Sequence, residues 1–155
     1  MLHNKAVSSG ELTRSAIRAL DVLAARILSR PEAPGSAQTG RRGEEEAYFH
    51  LRQHGYVIVA RNWRSPRRRG ELDLIGWDQD VLCFIEVKTR TTHDIKPAEA
   101  AVDREKQDEL RGMARDYLRR LKQLPATRFD IVSIYFEKDR PPADITLFKN
   151  AFAIA

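Results

Sequence analysis

The sequence predicts an α/β domain whose central strands are covered on both faces, carried behind an N-terminal helical extension. Three observations predict it. From residue 40 onward the patterning reads helix, three strands, helix, strand and a short last strand. Within the third strand, Val81, Cys83, Ile85 and Val87 fall on one face, and Leu82 and Phe84 precede Glu86 and Lys88 on the other. A strand that is apolar on both faces belongs in the middle of its sheet. Finally, residues 31–40, PEAPGSAQTG, have the composition of a linker and set residues 1–39 apart from residues 40–155.

Taken in order, Ser8-x-x-Glu11 forms a capping box for a helix running to about residue 29, with an apolar stripe through Leu12, Ala16, Leu20, Leu23 and Ile27. Glu11, Arg14, Arg18 and Asp21 interrupt any signal-peptide core. Packing on the domain or on a partner is the plainest role for this helix, and a targeting segment is the alternative. Gly40 opens a second helix, which Gly55 ends. Residues 56–60 form a first strand and residues 72–75 a second, joined to the third by a hairpin around residues 77–80. Residues 91–98, with a proline and few apolar side chains, read as a loop, and His93 in it has no second histidine at ligand spacing. A long helix follows over residues 103–124, then a strand at 128–136 and a short one at 145–148.

Composition narrows the function classes. With 42% hydrophobic and 32% charged residues the chain has the make-up of an ordinary soluble protein, and no apolar run is long enough for a membrane span. A net charge of +5 favours an anionic partner. The single cysteine, Cys83, sits in a core strand and cannot form an internal disulfide, which fits a reducing, cytoplasmic setting.

The chemistry concentrates in residues 70–90, GELDLIGWDQDVLCFIEVKTR. A buried carboxylate and ammonium must be paired, hydrogen-bonded or metal-bound. Glu86 and Lys88 lie two apart on one strand face, and the hairpin brings Asp73 beside Glu86. Two carboxylates and a lysine at strand ends suit a hard cation and a phosphate. Glu44 shares a helix stripe with Ala47 and Leu51, so it faces the domain; the helix dipole is the competing explanation for an acid near a helix start. Lys106 lies one turn before Leu110, close enough to an apolar stripe to reach back to the sheet end. Arg61, Arg64, Arg67, Arg68 and Arg69 put five guanidiniums in nine positions, and Arg90 closes the third strand. Such a cluster would seat a polyanion's backbone. Trp63 reads as core more readily than as a base-stacking residue.

The spacing of Asp73 from Glu86-Val87-Lys88 resembles the D…(D/E)-x-K signature of restriction-endonuclease-like nucleases. The fuller pattern GELDLI…FIEVKTR resembles the YraN-like family, described as related to archaeal Holliday-junction resolvases, over roughly residues 40–152. The "PD" dipeptide of the superfamily is replaced by Leu72-Asp73, a departure YraN-like sequences share. The resemblance implies an α/β/α core with a mixed sheet. It also implies a Mg²⁺ site, with Mn²⁺ as a substitute, built from Asp73, Glu86 and Glu44. Lys88 and Lys106 would stand near the scissile phosphate. The expected activity is phosphodiester hydrolysis in nucleic acid, with DNA, and branched DNA in particular, as the expected substrate; a homodimer stays open. The alternative is a nucleic-acid-binding module on the same fold with weak or no catalysis. A purely structural ion-pair network ranks last.

Overall fold

A computed structural model describes residues 35–91, 102–136 and 144–154. Thr39–Ala155 form one compact unit, which contains the five strands found among the described residues. The elements run α1 (Gly35–Gln53), β1 (Val57–Trp63), β2 (Leu72–Asp78), β3 (Val81–Arg90), α2 (Arg104–Leu118), β4 (Ala126–Tyr135) and β5 (Asp144–Phe152). The sheet order is β1-β2-β3-β4-β5, which puts β3 at the centre. β1, β2 and β3 pair antiparallel, β3 and β4 pair parallel from Val81↔Ala126 to Arg90↔Tyr135, and β5 returns antiparallel. Parallel neighbours need a crossover, and α2 supplies it. The sheet is therefore mixed, as expected.

Both faces of β3 are buried, as its sequence requires. Cys83 and Ile85 pack with Ala47 and Leu51 of α1, together with Leu74, Val132 and Ile134. Leu82 and Phe84 pack with Leu110, Met113 and Ala114 of α2, together with Phe129 and Ile131. Burial pushes the Cys83 thiol up to about 12, so it is an inert packing group. No helix among the described residues is long and apolar enough to cross a membrane.

Several boundaries differ from the sequence-based expectation. α1 starts at Gly35 rather than 40, so more than half of the expected linker is helical. Ala37 and Gln38 are good helix formers, and Gly40 is tolerated inside at a cost of roughly 1 kcal/mol. β1 continues through Arg61 and Trp63, because its ladder to β2 holds to Trp63↔Leu72. α2 ends at Leu118, six residues early. There the N–H groups of Arg120 and Leu121 donate three residues back, to Tyr117 and Leu118 (each 3.0 Å), tightening the last turn and carrying Leu121 onto the core. β5 is longer than expected, since it pairs with β4 from Asp144 to Phe152. The expected helix in residues 8–29 and the expected loop at 92–98, with His93, lie outside the described residues.

Candidate metal and phosphate site

β2 pairs with β1 as far as Leu72 but with β3 only as far as Leu74↔Ile85. Asp73 therefore stands one step beyond the last β2–β3 rung, across from Glu86. Instead of a strand carbonyl, the Asp73 carboxylate accepts the Val87 N–H, at 2.7 Å. Beyond the last rung this side-chain bond still links the two strands.

Glu86 is only 5% exposed. Its Oε1 accepts from Lys88 Nζ at 2.8 Å and lies 3.8 Å from Lys106 Nζ. Its Oε2 is buried and receives no donor. An unsatisfied buried acceptor costs about 1–3 kcal/mol, and more when charged. Burial and the adjacent Glu86 charge raise the Asp73 carboxyl to about 7; Glu44 adds to this, while the Val87 N–H and Lys106 oppose it. Burial works against the Lys106 ammonium, yet Glu86 and Glu109 hold its pKa above the ordinary lysine value. Two carboxylates thus crowd one strand end, with two lysines against them.

Glu44 lies in the middle of α1, not its first turn, so the helix dipole does not account for it. Its Oε2 accepts from Asn62 Nδ2 at 2.7 Å. Asn62 has φ +47°, a left-handed conformation that asparagine tolerates better than most residues. Among the described residues no group of three or more acids, histidines or cysteines is arranged to hold a metal ion. Asp73 and Glu86 stand together, and Glu44, close enough to raise the Asp73 carboxyl, gives its Oε2 to Asn62. The donor set still fits Mg²⁺, which takes oxygen ligands, often uses one or two carboxylates and keeps several waters. The partnerless Glu86 Oε2 is the atom that such an ion would satisfy.

Beside these carboxylates lies an open groove of about 520 Å³, lined by Arg64, Ser65, Arg68, Arg69, Gly70, Glu71 and Lys106. Lys106 lines the groove and lies 3.8 Å from Glu86 Oε1, so it joins the two places. Arg64 donates to Glu71 at 2.9 and 3.0 Å. Arg68 Nε donates to Asp116 at 3.2 Å. The other expected contacts lie elsewhere: Arg61 is on β1 with its guanidinium over the Tyr48 ring. Arg67 is exposed and its N–H donates to Ser65 Oγ. Arg90 ends β3 with its carbonyl bonded to the Phe136 N–H. Trp63 meets Tyr117 edge-on at 5.3 Å and packs, half-buried, against the core. Sequence reasoning missed Asn62, Ser65 and Asp116. Only Asn62 gave a signal, as an asparagine interrupting a strand pattern.

The chain matches the uncharacterised protein family UPF0102 over residues 43–134. It is 55% identical to a UPF0102 protein of Koribacter versatilis over 143 residues, covering 92% of this chain and 96% of that one. A UPF0102 protein of Solibacter usitatus is 50% identical over 99 residues, 63% of this chain and 75% of its own. One from Desulforamulus reducens is 36% identical over 115 residues, 72% and 93% respectively. A match of 143 residues must take in most of residues 1–39, so the Koribacter protein shares the N-terminal extension that the family match leaves out.

Proposed function

The chain belongs to the uncharacterised protein family UPF0102, and we propose that it is a metal-dependent endonuclease acting on nucleic acid, with branched DNA as the narrower candidate substrate. The observation that carries this is the buried, partnerless Glu86 Oε2 beside the half-buried carboxylate of Asp73. The D…ExK pattern and the adjoining basic groove support it.

Asp73 and Glu86 would hold the cation, with Glu44 able to join if it leaves Asn62. A bound Mg²⁺ supplies Lewis acidity and a more acidic water. The protein's own groups do the rest. Lys88 and Lys106 set two ammoniums against Glu86 Oε1, where they offset negative charge building on a phosphate in the transition state. Arg64, Arg68 and Arg69 seat neighbouring phosphates along the groove. The carboxylate of Glu71 competes for Arg64, and a phosphate would replace it there.

A nucleic-acid-binding module with weak or no catalysis is the second reading, favoured by the lack of a three-ligand cluster among the described residues. One assay separates the two. Junction, flap, single-stranded and duplex DNA, and matching RNA, are incubated with Mg²⁺ or Mn²⁺. Cleavage by the parent is expected, reduced roughly 10²–10³-fold or more in Asp73→Ala, Glu86→Ala and Lys88→Ala. Equal cleavage by Asp73→Ala would overturn the enzyme assignment, and binding without cleavage would favour the module.

A further inference from the structure

The arginine loop between β1 and β2 is fastened to α2 through one acid outside the carboxylate site. Asp116 is 8% exposed and Ser65 6%. Ser65 Oγ donates to Asp116 Oδ2 at 2.6 Å, and the same hydroxyl accepts the Arg67 N–H at 3.1 Å. Arg68 Nε donates to Asp116 Oδ2 at 3.2 Å, and Arg119 Nη1 to Oδ1 at 3.0 Å. One turn earlier on α2, Gly112 leaves room for the guanidinium: a Cβ there would stand 2.7 Å from Arg68 Nη1. Arg68 is thus held by its Nε edge, while its side chain stays 44% exposed along the groove.

We propose that Asp116 is a positioning residue for nucleic-acid backbone contact: with Ser65 and Gly112 it clamps the Arg64–Arg69 loop so that Arg68 enters the groove already oriented toward a phosphate. This rests on the nuclease reading only in taking the groove's ligand to be a nucleic-acid strand. A guanidinium held in place loses less side-chain freedom on binding, so the clamp contributes through preorganisation. It also makes a prediction whose sign is unusual. Asp116 is a negative charge beside a groove for a polyanion, so by Coulomb's law alone its removal should tighten binding. The clamp requires the opposite.

The test measures binding of fluorescein-labelled single-stranded and duplex DNA in EDTA, across a salt series, with melting curves alongside. Asp116→Asn should weaken binding roughly tenfold, about the value of one charge-assisted hydrogen bond. It should also flatten the duplex log–log salt slope by ~0.9, one phosphate contact. Gly112→Ala leaves Asp116 and all charges in place and displaces only the flexible end of Arg68. Alanine also favours a helix over glycine. It should therefore weaken binding and flatten the slope with the melting temperature kept or raised, which a merely structural role would not produce. Equal or tighter binding by Asp116→Asn, or unchanged affinity and slope in Gly112→Ala, would overturn the clamp. If Asp116→Asn does not fold, Gly112→Ala decides alone. A parent that binds neither DNA would remove the nucleic-acid reading itself, a result distinct from failure of the variants.

Discussion

A carboxyl group buried against a second carboxylate keeps its proton to higher pH, and Asp73 does so beside Glu86. The consequence for stability has a definite sign. An unfolded aspartic acid releases its proton near pH 4, whereas folded Asp73 holds it to about 7. Between those values the folded state binds more protons, so stability falls as pH rises. Asp73→Asn keeps the shape and removes the titration. In EDTA the variant should gain on the parent as the pH rises from 5 to 8, by roughly 2–3 kcal/mol over that interval, the two converging only below about pH 4. Mg²⁺ at about 100 times its dissociation constant should then raise the parent by ~2.7 kcal/mol and the variant much less. Melting curves at the two pH values, with EDTA and with Mg²⁺, check both halves. If Asp73→Asn is far less stable throughout and the parent ignores Mg²⁺, Asp73 is a structural partner of the lysines.

At the scale of elements, the approach of α1 to β3 depends on Gly43, one residue before Glu44. A Cβ at Gly43 would collide with Thr89 Oγ1 and lie 3.0 and 3.1 Å from Thr89 Cβ and Cγ2. Glycine to alanine inside a helix normally gains up to ~1 kcal/mol. Gly40, in the same helix with nothing within 4 Å, should show that gain. Gly43→Ala should instead lose roughly 1–3 kcal/mol through overpacking, as denaturant titration of the two variants would show. Stabilisation by both would mean that α1 does not press on β3. This contact also marks the limit of what the sequence discloses. The double-faced β3, the hairpin and the element order are written in local apolar periodicity and turn residues. So are Asp73, Glu86 and Lys88, because a hairpin makes near neighbours in sequence neighbours in space. Gly43 against Thr89, Asn62 on Glu44 and Ser65 on Asp116 join residues on different elements, the last two pairs 18 and 51 positions apart. No periodicity encodes such pairs. β1 ran past its expected end for a related reason: backbone pairing with β2, not side-chain pattern, carries it through Arg61 and Trp63.

Across the whole molecule, the β2–β3 ladder stops short of Asp73, and the other end of β2 is tied to the sheet by ion pairs. Asp78, at the far end of β2, is about five residues and so roughly 17 Å away. There it accepts from Arg128 of β4 and from Lys149 of β5, the latter at 2.7 Å. Arg128 also bonds Asp130, which is fully buried and takes the Tyr56 hydroxyl at 3.1 Å and the Asn150 N–H at 2.9 Å. The cluster fastens β2, β4 and β5 to the start of β1, and each acid in it is satisfied. The Lys149 and Arg128 bonds hold the Asp78 carboxyl below its ordinary pKa, so its contribution is present above about pH 4 and lost as the pH falls further. A stability device at one end of the sheet and a strained carboxylate pair at the other should separate by mutation. Asp78→Asn should cost roughly 1–3 kcal/mol, which for a chain of this size lowers the melting temperature by about 3–10 °C. Well below that temperature, cleavage per folded molecule should match the parent, because Asp73, Glu86 and the groove are untouched. The measurement pairs a melting curve with a cleavage rate taken at least 15 °C or so below the variant's midpoint. A rate that drops along with stability under those conditions would show that the two ends are coupled, and that the placement of Asp73 depends on Asp78.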